Sequence, residues 1–229
     1  MKRTFFNLAA ALLTAAVCAF CADAKKDADD YRIIAIMADG SRIDGYIASS
    51  LTNHMRPFVT SVSISREFGG EKEKYNSEQV ASVVYPPSEK DTTTVVFHSI
   101  RVQSKLSHLW NKNPKPYKKP VFLRLIYNGE NIKGYVMPIL DQTNGQTMSV
   151  SHYTWRYYYL RKGDDVAKAY WDDINGIIPG MKRVMKFFFR DFPELQDMVD
   201  AGEIKGGDFR DNPAMVLPLM DHCMASAAE

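Results

Sequence analysis

Four aromatic side chains alternate along one stretch of the sequence and could bind a ligand together. Tyr153, Trp155, Tyr157 and Tyr159 stand at every second position, so in a β-strand all four lie on one face. If exposed, they would form a platform on which sugar rings stack while the phenol and indole groups bond the hydroxyls. If covered, they would form cross-strand pairs and pack under helices that follow in the chain. β-Sheets favour these residue types for ordinary reasons, which favours the packing interpretation.

The residue types that usually carry catalysis or bind metals form no recognisable motif. The histidines show neither i, i+4 pairing nor an acidic partner at metal-ligand spacing; they are His54, His98, His108, His152 and His222. The sequence contains no G-x-S-x-G, P-loop or dinucleotide-binding pattern. We therefore predict no metal site and no cofactor, and we assign no catalytic residue.

Two acidic pairs and one cysteine could also do chemistry. Asp164-Asp165 and Asp172-Asp173 lack the alternating oxygen ligands of a calcium loop. They flank a junction between strand and helix, where the helix dipole favours a carboxylate near the helix start. Cys223 lies on the apolar stripe of the last helix, which indicates a buried structural thiol rather than a nucleophile. A hydrolase whose site is assembled from residues distant in sequence stays open as an alternative.

Basic charge is concentrated in one segment and nearly balanced over the chain. Residues 106–120 are rich in lysine and proline and are predicted to form an exposed loop. With Trp110 and Tyr117, this loop could contact anionic lipid, glycan or a partner, although a solvated connection is the favoured interpretation. The whole chain has 29 basic and 27 acidic side chains, a net charge of +2. That balance gives no reason to propose nucleic acid as a partner.

The N-terminus has the three parts of a secretory signal peptide. Lys2 and Arg3 are followed by an apolar run and then by Ala22-Asp23-Ala24, a small-x-small cleavage pattern. We predict that residues 1–24 are the signal peptide and that cleavage falls between Ala24 and Lys25. The apolar run is shorter than the ~20 residues of a spanning helix, so no transmembrane segment would remain. The mature protein is then periplasmic or secreted.

A lipid anchor is the alternative at this terminus. Cys18 or Cys21 would be the modified residue, but Val17 and Phe20 precede them where a small residue is usual. We therefore favour complete removal of both cysteines. Only Cys223 would remain, so the exported protein would contain no internal disulfide.

From residue 25 to 163 the sequence is typical of β-strands joined by tight turns. Asp39-Gly40 and Asn128-Gly129 each lie between apolar runs and predict hairpins. Further strands are predicted over 58–65, 80–85, 92–102 and 150–161.

After Gly163 the pattern changes to a helical period. Met181, Val184, Met185 and Phe188 fall at i, i+3, i+4 and i+7. A second helix is predicted with Asp191 as its cap, Leu195, Met198 and Val199 as its inner face, and Gly202 at its end. A last helix begins at Asn212, and Pro218 predicts a kink or break within it.

Together these patterns predict an α+β fold that is mainly β. We expect a rolled antiparallel sheet or barrel-like β-sandwich over residues 25–163, followed by a C-terminal group of short helices over 164–229 that packs on the sheet.

Three segments carry a resemblance to known proteins. The first is Lys74-Tyr75-Asn76-Ser77 followed by Val80; the second combines 121–129, 134–135 and 157–163; the third is Phe188 to Leu195 followed by a short helix. This set resembles the uncharacterised secreted proteins of Bacteroides-type bacteria, in which a β-rich module precedes short helices carrying an Asp-Cys-Pro-Glu-Leu element. Phe192 stands where those proteins have the cysteine, so no role of that thiol is carried over. The resemblance implies this architecture and export to the envelope, and implies no activity.

The leading functional hypothesis is therefore a non-catalytic binding or scaffolding module of the bacterial envelope. Its partner would be an envelope protein or a glycan. A carbohydrate-binding protein that uses the aromatic face of residues 153–159 is the first alternative, and a hydrolase is the second.

Overall fold

Ten strands form one continuous sheet in the computed structural model, which describes residues 28–48, 51, 58–89, 92–103, 115–144, 149–172 and 180–226. The predicted signal peptide with Cys18, Cys21 and Ala24, the predicted first mature residue Lys25, and most of the lysine-rich segment with Trp110 lie outside these residues. The strands are β1 Arg32–Met37, β2 Arg42–Ile47, β3 Ser61–Ser65, β4 Glu73–Asn76, β5 Val80–Tyr85, β6 Val95–Val102, β7 Val121–Asn128, β8 Ile132–Asn144, β9 Ser149–Arg161 and β10 Val166–Asp172. The expected α+β, mainly β class is confirmed.

The last five strands close into a ring. Their order is β6-β7-β8-β9-β10, and β10 pairs again with β6 at Val166–Arg101 and Ala167–Val102. This closing pair is parallel, whereas the other strand pairs of the sheet are antiparallel. An up-and-down series of five strands ends in the direction in which it began, so its first and last strands can only meet in parallel. The sheet is therefore mixed, and this parallel pair is the departure from the rolled antiparallel sheet that the sequence predicts.

The inside of the ring is filled by alternate residues of its strands. They are Ile100, Val102, Val121, Leu123, Tyr135, Met137, Tyr158 and Ala167. Side chains at intervening positions point to the outside of the ring, where those of β8, β9 and β10 contact the C-terminal helices. These three strands are thus buried on both faces.

The first five strands extend the sheet beyond β6 and roll over a second core. Their order from β6 is β5-β1-β2-β3-β4. The roll brings the residues that flank β3 and β4 back to the start of β7: the Phe122 N–H donates to the Val59 carbonyl at 3.0 Å, and Ser77 Oγ donates to the Pro120 carbonyl at 2.7 Å. The core between them contains Ile33, Ala35, Ile47, Val62, Ile64, Val80, Val83, Tyr85, Val95, Phe97 and Phe122.

Four short helices cover the outer face of the ring. They are α1 Met181–Phe188, α2 Pro193–Ala201, α3 Gly206–Asp211 and α4 Leu217–Ser226, and a 3-10 turn at Pro213–Val216 precedes α4. Phe189, Phe192 and Phe209 are fully buried between the helices and the sheet. One close approach is at Gly134 of β8, where a Cβ atom would collide with the Leu217 side chain. None of the helices in the described ranges is both long and apolar enough to cross a membrane.

The boundary predicted between sheet and helices was wrong by one strand. We placed it after Gly163, but β10 runs from Val166 to Asp172 and pairs with both β9 and β6. Its sequence, VAKAYWD, is a short apolar run, and length and period alone do not distinguish a strand from a helix segment there. The helical region of the described chain therefore begins at Met181 rather than at residue 164.

The helix ends were predicted with mixed success. Gly202 ends α2 in the left-handed conformation, and the break expected near Pro218 is present because the 3-10 turn ends at Val216 and α4 begins at Leu217. Asp191 does not cap α2. Its carboxylate instead accepts hydrogen bonds from Tyr159 Oη at 3.0 Å and Lys168 Nζ at 2.9 Å. This residue therefore joins the helices to strands β9 and β10.

The buried Phe189 ring gives a test of this packing. Phe189 is 0% exposed and contacts Phe209 edge to face with ring centroids 5.3 Å apart. We expect Phe189→Ala to lower the free energy of unfolding by about 3 to 5 kcal/mol, because the ring is lost from a filled core. Urea denaturation measures the change. The matched control is Phe187→Ala, a half-buried ring, for which we expect a loss within about 1 kcal/mol. Equal losses in the two variants would contradict the packing described here.

Candidate functional site

The part of the aromatic face of β9 that Tyr157 and Tyr159 form packs against the helices. Tyr159 is 3% exposed and its ring contacts Phe192, with centroids 5.3 Å apart. Tyr157 is half-buried and packs against the same cluster, and Trp155 is also half-buried. The side chain of Tyr153 lies outside the described part of the structure. The packing interpretation is correct for Tyr157 and Tyr159, and these two rings cannot form the sugar platform because the helices cover this face.

The other candidates from the sequence are dispersed. Asp164 and Asp165 are exposed in the turn before β10, whereas Asp172 is buried and forms an ion pair with Arg156, with Asp172 Oδ1 2.5 Å from Arg156 Nε. Asp173 lies outside the described residues. Cys223 is half-buried, and burial raises the pKa of its thiol to about 12, with a hydrogen bond to Glu194 acting in the same direction. Within the described ranges, no three His, Cys, Asp or Glu side chains come together as a metal site.

A cavity of about 600 Å³ opens where the ring of strands meets the first half of the sheet. We call it the ring mouth. Its lining comes from β5, β6, the β7–β8 turn, β8, the end of β9 and the β9–β10 turn. The lining residues include Ser82, His98, Ile100, Glu130, Asn131, Lys133, Tyr135, Leu160, Lys162 and Asp164. A volume of this size suits a small molecule, and the open ends of closed sheets are common positions for such sites.

Side chains alternate between the two faces of a strand, and this alternation directs His98 and Lys133 towards the ring mouth. His98 shares the inward face of β6 with Ile100 and Val102, which lie in the ring core. Lys133 likewise stands two residues before Tyr135 on the inward face of β8. In the sequence, His98 has no metal-ligand spacing that would single it out. The available signal was its place in the alternating strand VVFHSIRV, where a polar residue occupies a core-facing position.

His98 and Tyr135 form a polar pair in the wall of the mouth. His98 Nδ1 lies 3.0 Å from Tyr135 Oη, and the two rings meet edge to face. Burial, and after it the positive charge of Lys133, lower the pKa of His98 below its ordinary value of 6.5. Burial also raises the pKa of the Tyr135 phenol well above 10. At neutral pH both groups are therefore uncharged, so the pair can both donate and accept hydrogen bonds.

The rim of the mouth is held by Asp221 of α4. Its carboxylate accepts hydrogen bonds from the backbone N–H groups of Asn131 at 2.7 Å, Ile132 at 2.8 Å and Glu130 at 3.2 Å. Burial alone would raise the pKa of Asp221, but these hydrogen bonds outweigh it and lower the pKa below 3.8. Gly129 allows the approach, because a Cβ atom there would collide with the carboxylate. The C-terminal helix therefore fixes the β7–β8 turn that borders the cavity.

The charges at the rim have both signs. Lys133 and Lys162 are exposed on it, and so are Glu130 and Asp164. Between them lie the apolar Ile100 and Leu160 and the neutral His98–Tyr135 pair. This arrangement can bind a small molecule that combines an apolar part with a singly charged or zwitterionic group. It would disfavour a polyanion, since the two carboxylates repel additional negative charge.

Comparison with family models, with curated proteins and with solved structures finds no match for this chain.

The neutral state of His98 predicts a pH dependence of stability. Because the pKa is lower in the folded protein than the ordinary 6.5, the unfolded chain takes up a proton first as the pH falls. The free energy of unfolding should therefore decrease as the pH falls through 6.5, and this contribution is fully present only above that value. We expect His98→Gln to lose less stability than the original protein between pH 7.5 and pH 5, measured by urea denaturation.

Asp191 and Asp221 do not contribute to the change in the free energy of unfolding between pH 7.5 and pH 5. Both carboxylates have a lowered pKa, and in the unfolded chain they titrate near 3.8, so they are ionised in both states at pH 5 and above. An equal loss of stability in His98→Gln and the original protein would contradict the neutral, buried state of this imidazole.

Proposed function

We propose that the protein is a non-catalytic binding module exported to the bacterial envelope, and that a small ligand occupies the ring mouth. The observation that carries this proposal is the cavity of about 600 Å³, with its apolar wall, its neutral His98–Tyr135 pair and its charged rim. The ligand class that fits is a small molecule with an apolar part and a carboxylate or zwitterionic group. Lys133 and Lys162 would bind its acidic group, and Ile100 and Leu160 would contact its apolar part.

A scaffolding role is compatible with the same fold. The sequence resemblance to secreted envelope proteins supports an envelope location for either role, and the partner would be another envelope protein or a glycan. The ring mouth favours binding over scaffolding alone, because a purely structural module gains nothing from an open cavity with polar groups in its wall.

A hydrolase is the second candidate, and one observation favours it. Ser82 of β5 stands directly opposite His98 of β6 in the sheet register, and both line the ring mouth. A serine nucleophile works when a histidine accepts its proton and a third group orients that histidine. The partner of His98 Nδ1 in the described structure is the Tyr135 phenol rather than a carboxylate. The geometry therefore supports binding better than acyl transfer.

Export predicts the N-terminus of the mature protein. The basic start, the apolar run and the Ala22-Asp23-Ala24 pattern support cleavage after Ala24. Intact-mass measurement of the protein from a bacterial periplasmic fraction should give a chain that begins at Lys25. The matched variant Ala24→Tyr replaces the small residue at the cleavage position and should accumulate as the uncleaved chain. A mature chain that begins at Cys18 or Cys21 and carries lipid would contradict the prediction.

Ligand binding at the ring mouth can be tested by thermal stabilisation. The probes are a panel of aromatic and aliphatic carboxylates, free amino acids and dipeptides. At a concentration about a hundredfold above the dissociation constant, a bound probe should raise the melting temperature by about 5 to 10 °C. The double variant Lys133→Glu, Lys162→Glu should lose this shift, because the acidic group of the probe would meet two added carboxylates.

The matched control carries the same change of charge elsewhere. Lys118 and Lys119 are exposed and do not line the cavity, so Lys118→Glu, Lys119→Glu should retain the shift. A shift lost in both double variants, or in neither, would contradict a site at the mouth. Hydrolysis of p-nitrophenyl acetate that disappears in Ser82→Ala would contradict the non-catalytic assignment and favour the hydrolase.

A further inference from the structure

The loop between β3 and β4 presents a large aromatic ring to solvent. Phe68 is 48% exposed, and in the described part of the chain the only other large apolar side chain exposed in this way is Ile126, at 37%. Because burying a phenylalanine is favourable by roughly 1.5 to 3 kcal/mol, a ligand that covered this ring would gain free energy from the contact.

The loop holds this ring in a fixed position. The buried Ser65 hydroxyl donates to the Glu67 carbonyl at 2.6 Å, and the Gly70 N–H donates to the same carbonyl at 3.0 Å. Gly69 has φ +76°, which a glycine supplies without strain at the third position of a tight turn. Phe68 occupies the second position of this turn, so little conformational freedom remains to be lost when a ligand contacts it.

Phe68 forms an aromatic cluster with two tyrosines. Its ring lies edge to face against Tyr46, with centroids 5.6 Å apart, and tilted against Tyr31 at 6.2 Å. The three rings line a groove of about 490 Å³, together with the polar side chains of Asp30 and Lys72. We call this surface the Phe68 groove. It offers aromatic faces, phenol groups, an ammonium group and a carboxylate within one concave surface.

We propose that the Phe68 groove binds a glycan. The C–H faces of a pyranose ring stack on aromatic side chains, and its hydroxyls both donate and accept hydrogen bonds. The Phe68 ring would supply the stacking surface, and Tyr46 stands edge to face beside it. The Tyr31 phenol, the Lys72 ammonium and the Asp30 carboxylate lie around it as donors and acceptors for the hydroxyls.

The lining of the groove is aromatic and polar rather than aliphatic. Ile47, the largest aliphatic residue here, is only 1% exposed, so the open surface consists of ring faces and hydrogen-bonding groups, the two features that a sugar ring with hydroxyls on its edge requires. A second groove of about 490 Å³ lies against the same loop and shares Ser65 and Lys72 with the first. Its lining includes Arg66 and Glu71. An oligosaccharide longer than one unit could therefore extend along the loop, with its next hydroxyls facing charged groups.

This site is separate from the ring mouth. The two grooves beside the β3–β4 loop share no lining residue with the cavity that contains His98. It also differs from the aromatic face of β9 that the sequence suggested as a sugar platform. Failure of either binding proposal leaves the other unaffected.

The experiment measures glycan binding to the mature protein by isothermal titration calorimetry. The probes are the hexasaccharides of chitin, cellulose, xylan and starch. We expect at least one of them to bind, and Phe68→Leu to weaken its affinity about tenfold, because leucine keeps the apolar volume but has no ring face. Phe68→Trp should retain the affinity. The matched control Ile126→Ala removes the other exposed apolar side chain and should leave binding unchanged.

Each remaining outcome overturns the proposal. If none of the four hexasaccharides binds, the groove is not a glycan site. If Phe68→Leu binds as tightly as the original protein, stacking on this ring is not the interaction. If Ile126→Ala weakens binding as much as Phe68→Leu does, the contact lies elsewhere. The melting temperature of each variant, which should equal that of the original protein because both side chains are exposed, excludes unfolding as the cause.

Discussion

The burial of β8, β9 and β10 on both faces is the constraint on which the rest of the structure depends. One face of each strand fills the ring with Tyr135, Tyr158 and Ala167, and the other contacts the C-terminal helices through Tyr159, Tyr170 and Trp171. A strand with two buried faces cannot shift its register by one residue without exchanging its two sets of side chains. The ring, the helices and the cavity at the ring mouth are therefore fixed by the same strand pairings.

The helices also act on the ring mouth without lining it. Asp221 binds three consecutive backbone N–H groups of the β7–β8 turn, and Asp191 binds side chains of β9 and β10. Such bonds to a charged acceptor contribute roughly 1.5 to 3 kcal/mol when buried, and less here because both carboxylates are partly exposed. These hydrogen bonds mainly fix positions. The Asp221 bonds connect α4 to the β7–β8 turn at the rim. The Asp191 bonds connect the helical region to β9 and β10, whose connecting turn borders the cavity.

Local signals in the sequence predicted most of the architecture and little of the site. Asp39-Gly40 marks a hairpin because its turn needs positive φ, and Gly40 has φ +85°. Asn128-Gly129 also lies at a hairpin turn, but Gly129 does not have positive φ, and the glycine is needed there because a Cβ atom would collide with Asp221. β10 was missed because its short apolar run has no distinctive period. The sequence wrongly predicted Asp191 as the N-terminal cap of α2. It cannot show that Lys168 and Tyr159, on strands distant in the chain, bind the Asp191 carboxylate instead. The ring mouth was missed for a related reason, since strands distant in the chain contribute to it and only their pairing brings His98 beside Tyr135.

The aromatic residues show why residue type alone does not separate a packing surface from a binding surface. Tyr157 and Tyr159 alternate as a ligand platform would, yet helices formed later in the chain cover them. Phe68 has no alternating partner in the sequence, and it meets Tyr31 and Tyr46 only because β1 and β2 lie beside the loop that carries it. Whether an aromatic face is available depends on what the remaining chain places over it. The rings of Tyr157 and Tyr159 on β9 become part of a core between sheet and helices, whereas the Phe68 ring on the β3–β4 loop is 48% exposed.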